Sequence, residues 1–393
     1  MKPIYLDHGA TTPMRREVLE VMQPYFTDTF GNPSSIHGFG QKARKDLEEA
    51  RKKIAETIGT DFREIFFTSG GTESDNLAVQ GVVRARKGHG GHIVTSSIEH
   101  PAVLNTCRYM ERQGYDVEYL PVDTDGLVNP QEVQAALRPN TVLVSIMLAN
   151  NEVGTIQPIQ EIGEITKAQG IPLHTDAVQA VGKIPVKVND LNVDLLSVSA
   201  HKIYGPKGTG ILYVKQGTPF TPLFFGGHHE RGYRPGTENV AGVMGLAKAM
   251  DLADAERDDF FTNMVHLRSI LEAGIREKVK DIQFNGHTEK RLPNVSNISF
   301  HSIDGESLLF VLDSQKITVS TGAACSSGSA EVSHVLTAMG LSPELAGGSM
   351  RFSLGRLNSE DDIRYVLAVL PDVIAGLRKQ PAILQKSHYL SKS

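Results

Sequence analysis

Cysteine is scarce. The 393 residues hold two, Cys107 and Cys325, far apart and in unlike surroundings, so a disulfide framework is excluded and a reducing, cytoplasmic setting is expected. Long apolar runs are lacking as well. None approaches the roughly 20 residues needed to cross a bilayer, and no apolar stretch follows Met1–Asp7 to act as a secretory signal. Charge of one sign is not in excess either. The 40 basic and 45 acidic side chains leave a net −5, with no basic block able to track a phosphate backbone. Neither a membrane nor a nucleic acid is therefore an expected partner. Internal repeats and low-complexity tracts are also missing.

What remains is the profile of a globular protein, 40% hydrophobic and 22% charged. The length exceeds that at which one core stops growing, which predicts two lobes. Residues 41–58 carry Ala43, Leu47, Ala50, Ile54 and Ile58 at helical spacing. Short β-branched runs then alternate with helical patterns up to about 215. The runs are Ile65–Thr68, His92–Ser96, Val117–Pro121, Thr141–Leu148, Ile171–His174, Asp194–Ser199 and Gly210–Val214; Pro130–Leu137 and Ile159–Gln169 are two of the helical segments. Such alternation predicts an α/β fold with a mainly parallel sheet covered on both faces, and a ligand site at the carboxyl ends of its strands. The last third reads differently. Helical stretches at 240–279 and 359–378 flank strands Val295–Phe300 and Ile317–Ser320, which suggests a smaller α+β lobe. The expected division is a large domain of 14–260 and a small one made from 1–13 and 261–393 that carries Cys325.

Polar clusters fall at several predicted strand ends. Thr68-Ser69-Gly70-Gly71-Thr72-Glu73-Ser74 opens a helix, and glycines there let backbone N–H groups approach an anion; a plain turn capped by Ser69 or Thr72 is the simpler alternative. Lys202, in Ser199-Ala200-His201-Lys202, is an amine able to condense with a carbonyl, or else an exposed loop lysine. Asp176 either pairs with a protonated ring nitrogen or caps a following helix. Asn150-Asn151-Glu152 and Glu99-His100-Pro101 complete the set, with Pro101 in a first helical turn and His100 at the mouth. Convergence of all these on one sheet edge is the argument for a site.

These segments, with Asp176-Ala177-Val178-Gln179 and Arg231-Gly232-Tyr233-Arg234-Pro235-Gly236-Thr237, resemble the cysteine desulfurases, class V enzymes of fold type I that use pyridoxal 5'-phosphate. The likeness runs from Tyr5 to about Leu377. It implies a large coenzyme-binding domain, with Lys202 bonded to the coenzyme, Asp176 on the ring nitrogen, Gln179 on the ring oxygen and His100 stacked on the ring. Gly71, Thr72, Ser199 and His201 would take the phosphate, completed by Thr237 of a neighbouring subunit, which implies a homodimer with shared sites. Asn151 would touch ring oxygen and substrate; Asn32 and Arg351 would clasp the substrate carboxylate. The catalytic residues implied are Lys202, Cys325 and His100. L-cysteine would become L-alanine, with its sulfur held on Cys325 as a persulfide for an acceptor such as an iron–sulfur scaffold protein.

Cys325 lies among small residues, Gly322-Ala323-Ala324-Cys325-Ser326-Ser327-Gly328, a context that suits a reactive thiol better than a packed one; Cys107 reads as a buried core thiol. His228-His229-Glu230 lacks metal-ligand spacing, so no metal is expected beyond transient iron–sulfur contact through Cys325. The chain departs from the family at Asp7-His8-Gly9 and at Pro235, positions expected to lie clear of the chemistry. Alternatives are a selenocysteine lyase, which would not need Cys325, a class V aminotransferase, and a non-catalytic assembly scaffold.

Overall fold

The computed structural model describes residues 2–86, 90–321 and 332–379, so Cys325 lies outside the described residues. Its strands are β1 (Ile4–Tyr5), β2 (Ile65–Thr68), β3 (His92–Ser96), β4 (Asp116–Leu120), β5 (Thr141–Ser145), β6 (Leu173–Asp176), β7 (Leu195–Ser199), β8 (Gly210–Val214), β9 (Ile282–Asn285), β10 (Val295–Phe300), β11 (Ile317–Thr318) and β12 (Ser349–Ser353).

Seven of them form one sheet in the order β2-β8-β7-β6-β5-β3-β4. From β7 to β4 every pairing is parallel, while β8 runs antiparallel to both β7 and β2. Two reversals return β2 to the direction of the parallel strands. The carboxyl ends of six strands therefore lie along one edge, which gives the α/β architecture expected. Alternation of side chains along each strand feeds two cores. Ile65, Phe67, Ile211 and Tyr213 face one, beneath the helices Gly38–Ile58, Ile159–Ala168 and Val240–Ala255. Phe66, Leu212 and Val214 face the other, beneath Gly71–Ala85 and Pro101–Arg112. Both faces are buried, which is why the strands read as continuous apolar runs.

The predicted 41–58 helix begins three residues earlier, at Gly38, and stops where Gly59 takes a left-handed φ of 74°. The stretch expected at 240–279 is two helices, Val240–Ala255 and Arg257–Lys278. Glu256 breaks them apart, and its carboxylate takes Arg15 and Arg356. Asp176 does not cap a helix; residues 178–183 are a run of turns.

A third core gathers Ile4 and Leu6 with residues between Phe260 and Leu377, around the antiparallel sheet β12-β10-β9. β1 enters it by pairing parallel with β11. The chain's first strand thus joins its last third, and residues 7–12 pass from there to the edge of the large sheet. No helix among the described residues is long and apolar enough to cross a membrane.

Candidate active site

Five turns leave the carboxyl edge of the large sheet, after β2, β3, β5, β6 and β7, and each carries one of the polar clusters. After β2, Gly70 adopts a φ of 143° and ends the turn as the N-cap of the Gly71–Ala85 helix, with no side chain capping it. Space there is restricted. A Cβ on Gly71 would lie 2.8 Å from Val178 Cγ2, and one on Gly210 would lie 2.7 Å from Gly70 Cα. Glu73, in the first turn, takes the Ser69 N–H at 2.6 Å on Oε2, and Arg234 Nε donates to its Oε1 at 2.8 Å. Thr72 is exposed at the same terminus, and Ser199 Oγ lies 3.6 Å from where a Gly70 Cβ would stand.

After β3, His100 is the N-cap of Pro101–Arg112, and its Nδ1 accepts the Ala102 N–H at 3.1 Å. The neutral ring must then carry its proton on Nε2. Burial first, then the charges of Lys202 and His334, lowers its pKa to about 4. Its neighbour Glu99 is fully enclosed. Both carboxyl oxygens accept the Met147 N–H, at 3.0 and 3.1 Å, and burial pushes the pKa up to about 8.

After β6, Asp176 is buried, with Oδ1 accepting the Val178 N–H at 2.9 Å. No ion pair reaches it among the described residues. Burial raises its pKa to about 6, against the lowering pull of the Val178 N–H and the Lys202 charge. Asp75 behind it is raised by burial and then by the charge of Asp176. Gln179 donates from Nε2 to Gly9 O at 2.9 Å.

After β7, Lys202 Nζ donates to Gly9 O at 2.7 Å and Ala10 O at 2.6 Å. His201 Nδ1 meets Thr11 Oγ1 at 3.1 Å, and burial, then the cations Lys202, Lys207 and Lys183, depress it to about 4. From the other core comes Arg351 on β12. It spans the gap by donating to Asn151 O and to Asp7 Oδ1, each at 2.8 Å. Asn151 thus follows β5 and meets Arg351 through its carbonyl.

The structure therefore brings together Lys202, Asp176, Gln179, His100, His201, Asn151 and Arg351 with Gly71, Thr72 and Ser199. Two candidates stand apart. Asn32 is exposed, its Oδ1 taking the Ser34 N–H at 2.9 Å, and no hydrogen bond joins it to Arg351. Thr237 is exposed in the segment before the Val240–Ala255 helix. Glu230 is spent structurally, since Arg51 grips both its oxygens at 2.7 Å and Phe67 N–H donates at 2.9 Å. Cys107 is fully buried and raised to about 12 by that burial, a core thiol.

One expectation is corrected. The Asp7-His8-Gly9 departure does not lie clear of the site: Asp7 pairs with Arg351, and the carbonyls of Gly9 and Ala10 receive Lys202. Motif reading passed over this segment because the Lys202 contacts run through backbone carbonyls, which leave no residue signature, and the Asp7 pair joins residues 344 apart. The seven small and polar residues from Asp7 to Pro13 were its only sign.

A family model described as aminotransferase class-V matches residues 4–366. The chain is 50% identical over 387 residues to the cysteine desulfurase IscS of Methanosarcina thermophila, covering 98% of this chain and 96% of that one. It is 51% identical over 377 residues to the cysteine desulfurase IscS of Dictyoglomus turgidum, with 96% of each covered. Among solved structures, a NifS-like protein matches with a TM-score of 0.90 at 40% identity over 95% of this chain and 100% of that chain. The chain belongs to the class-V aminotransferase family and, within it, to the cysteine desulfurases, enzymes that in general depend on pyridoxal phosphate.

The residues present suit that coenzyme. A helix terminus whose N-cap residue offers no side-chain cap fits a phosphate, a buried carboxylate that no described residue meets in an ion pair fits a protonated ring nitrogen, and Lys202 brings an amine to the same edge.

Proposed function

We propose that the chain takes the sulfur from L-cysteine, releases L-alanine and keeps the sulfur on Cys325 as a persulfide for an acceptor protein, an iron–sulfur scaffold foremost. The carrying observation is the meeting of Lys202, Asp176 and His100 with the uncapped 71–85 helix at one sheet edge, faced by Arg351 from the second core. A solved neighbour at 39% identity, SspA, is described in complex with cysteine. The balance closes without an outside oxidant: the substrate's Cβ–S bond breaks, an S–S bond forms at Cys325, and the thiol protons end on the alanine carbon and the persulfide.

Residues 14–260 would hold the coenzyme. Lys202 would bind it covalently, Asp176 would face its ring nitrogen, Gln179 and Asn151 its ring oxygen, and His100 its ring. Gly71, Thr72, Ser199 and His201 would take its phosphate, with the partner subunit's Thr237 completing that end in a homodimer. When bound, pyridoxal phosphate supplies an electron sink that makes the substrate Cα–H acidic and its Cβ–S bond labile. Lys202, set free by the substrate amine, takes the Cα proton on Nζ. Asp176 would be held ionised beside a positive ring nitrogen, because an opposite charge offsets the burial that raises it. Neutral His100 offers Nε2–H to the sulfur during transfer and serves as its proton carrier. Arg351 grips the substrate carboxylate as a planar fork. Of the two residues assigned to that carboxylate, Arg351 has the geometric support and Asn32 rests on resemblance.

Two variants test the steps separately. Cys325→Ala should keep the yellow absorption of the bound coenzyme and lose alanine production from L-cysteine; full turnover in that variant would remove the persulfide. Lys202→Ala should lose the wild-type absorption band, and an unchanged band would refute the lysine assignment.

A further inference from the structure

Lys183 is among the buried titratable groups that no step above uses. It is 5% exposed, and no carboxylate pairs with it among the described residues. Its Nζ donates to two oxygens of a single residue, Gln179 O and Gln179 Oε1, both at 2.9 Å. The other end of that amide, Nε2, donates to Gly9 O, the carbonyl that also receives Lys202. A carbonyl oxygen only accepts, so Nε2 must face Gly9 and Oε1 must face Lys183. Exchange of the two amide atoms would set oxygen against oxygen at one end and leave two N–H donors facing each other at the other. One N–H of Nε2 is spent on Gly9. The second is the donor that this chain of contacts leaves for an acceptor oxygen at the sheet edge.

The arrangement is costly to the fold. Burial, followed by the charges of Lys202 and Arg351, pulls Lys183 down to about 7. An apolar side chain of similar length would be easier to enclose. Lys183 also lines a small cavity together with His8, Lys202, Tyr204 and Asn294. His8 Nδ1 donates to Ser353 O at 3.2 Å, so this neighbour presents a bare Nε2 and supplies no negative charge.

We propose that Lys183 is a positioning residue: by holding Oε1 it locks the Gln179 amide so that Nε2 presents its second N–H to an acceptor oxygen of the bound coenzyme. This rests on the reading of the sheet edge as a pyridoxal-phosphate site.

The test is a double-mutant cycle on Lys183→Met and Gln179→Ala, read by titrating apoprotein with pyridoxal phosphate and by the absorption maximum of the loaded protein. Loss of one oriented hydrogen bond should weaken coenzyme affinity by about tenfold in either single variant and shift the maximum in the same direction. The double variant should bind no worse than Gln179→Ala alone, because both changes remove the same donor. The melting temperature of the Lys183→Met apoprotein should hold or rise, which a structural lysine would not allow. Unchanged affinity and spectrum in Lys183→Met, or effects that multiply in the double variant, would overturn the assignment. If Lys183→Met does not fold, Lys183→Arg is read instead: its guanidinium still donates to Oε1, so the maximum should stay at the wild-type position, and a maximum shifted as far as in Gln179→Ala would overturn the assignment. Wild-type protein that fails to bind pyridoxal phosphate, or a Lys202→Ala band that persists, sinks the site reading itself and is scored before the cycle.

Discussion

Glu99 and His100 are adjacent in sequence and sit on opposite sides of a pH argument. His100 is lowered to about 4 from 6.5, so between those values the unfolded chain holds more protons and its contribution to stability falls as pH falls. Glu99 is raised from 4.5 to about 8, so the folded state holds the proton more tightly and stability is lost as pH rises through that window. Replacing Glu99 by Gln keeps an oxygen for the Met147 N–H and removes the titration. Urea unfolding at pH 5 and pH 8 should therefore show Glu99→Gln gaining on wild type as the pH is raised. A difference between the two proteins that stays constant would show Glu99 to be ionised already at the lower pH. His100 remains neutral near pH 7, which suits the proton exchange with sulfur proposed for it.

At the scale of elements, the phosphate end proposed for the site depends on how closely β8 approaches the turn after β2. Gly210 opens β8, and a Cβ there would meet Val198 O at 2.5 Å and Gly70 Cα at 2.7 Å. All of these are backbone atoms, so no side chain can swing aside. Gly210→Ala should cost about 1–3 kcal/mol in unfolding free energy and should weaken pyridoxal-phosphate binding, as the 70–71 turn is pushed from its place. Wild-type affinity in a destabilised Gly210→Ala protein would show that the turn does not serve the coenzyme. Sequence reading placed a helix start within Thr68–Ser74, because glycines before an apolar periodic run are a local signal, and the structure begins the helix at Gly71. It could not see Gly210 as part of the same structure, since the two meet only through the antiparallel return of β8.

Across the whole molecule, the segment from Ile4 to Thr12 ties the cores together. Leu6 is fully buried in the core around β10 and β12. Three residues on, Gly9 O takes Lys202 and Gln179, and Thr12 Oγ1 donates to His201 O at 2.8 Å. Leu6→Ala should cost about 2–5 kcal/mol. Unlike a truncation elsewhere in that core, it should also loosen the coenzyme, because the displaced segment carries the Lys202 acceptors. Thermal unfolding of the apoprotein beside coenzyme titration checks both effects, and destabilisation with unaltered coenzyme affinity would show the two functions of the segment to be separable.

Much of this was determined by sequence alone. Short continuous apolar runs alternating with period-3.6 segments specify a mainly parallel sheet covered on both faces, because an exposed face of such a strand would be unstable. Clusters such as Ser199-Ala200-His201-Lys202 carry their chemistry in side chains and so leave a readable motif, which is how Asp176, His100 and Lys202 were found. Tertiary structure alone decided the rest. The Asp7–Arg351 pair joins residues 344 apart, Gly9 acts through its carbonyl, and the Gln179 orientation is set by a lysine with no motif of its own. Backbone acceptors and long-range pairs have no residue pattern; they exist only once the packing of two cores has brought them within hydrogen-bonding distance.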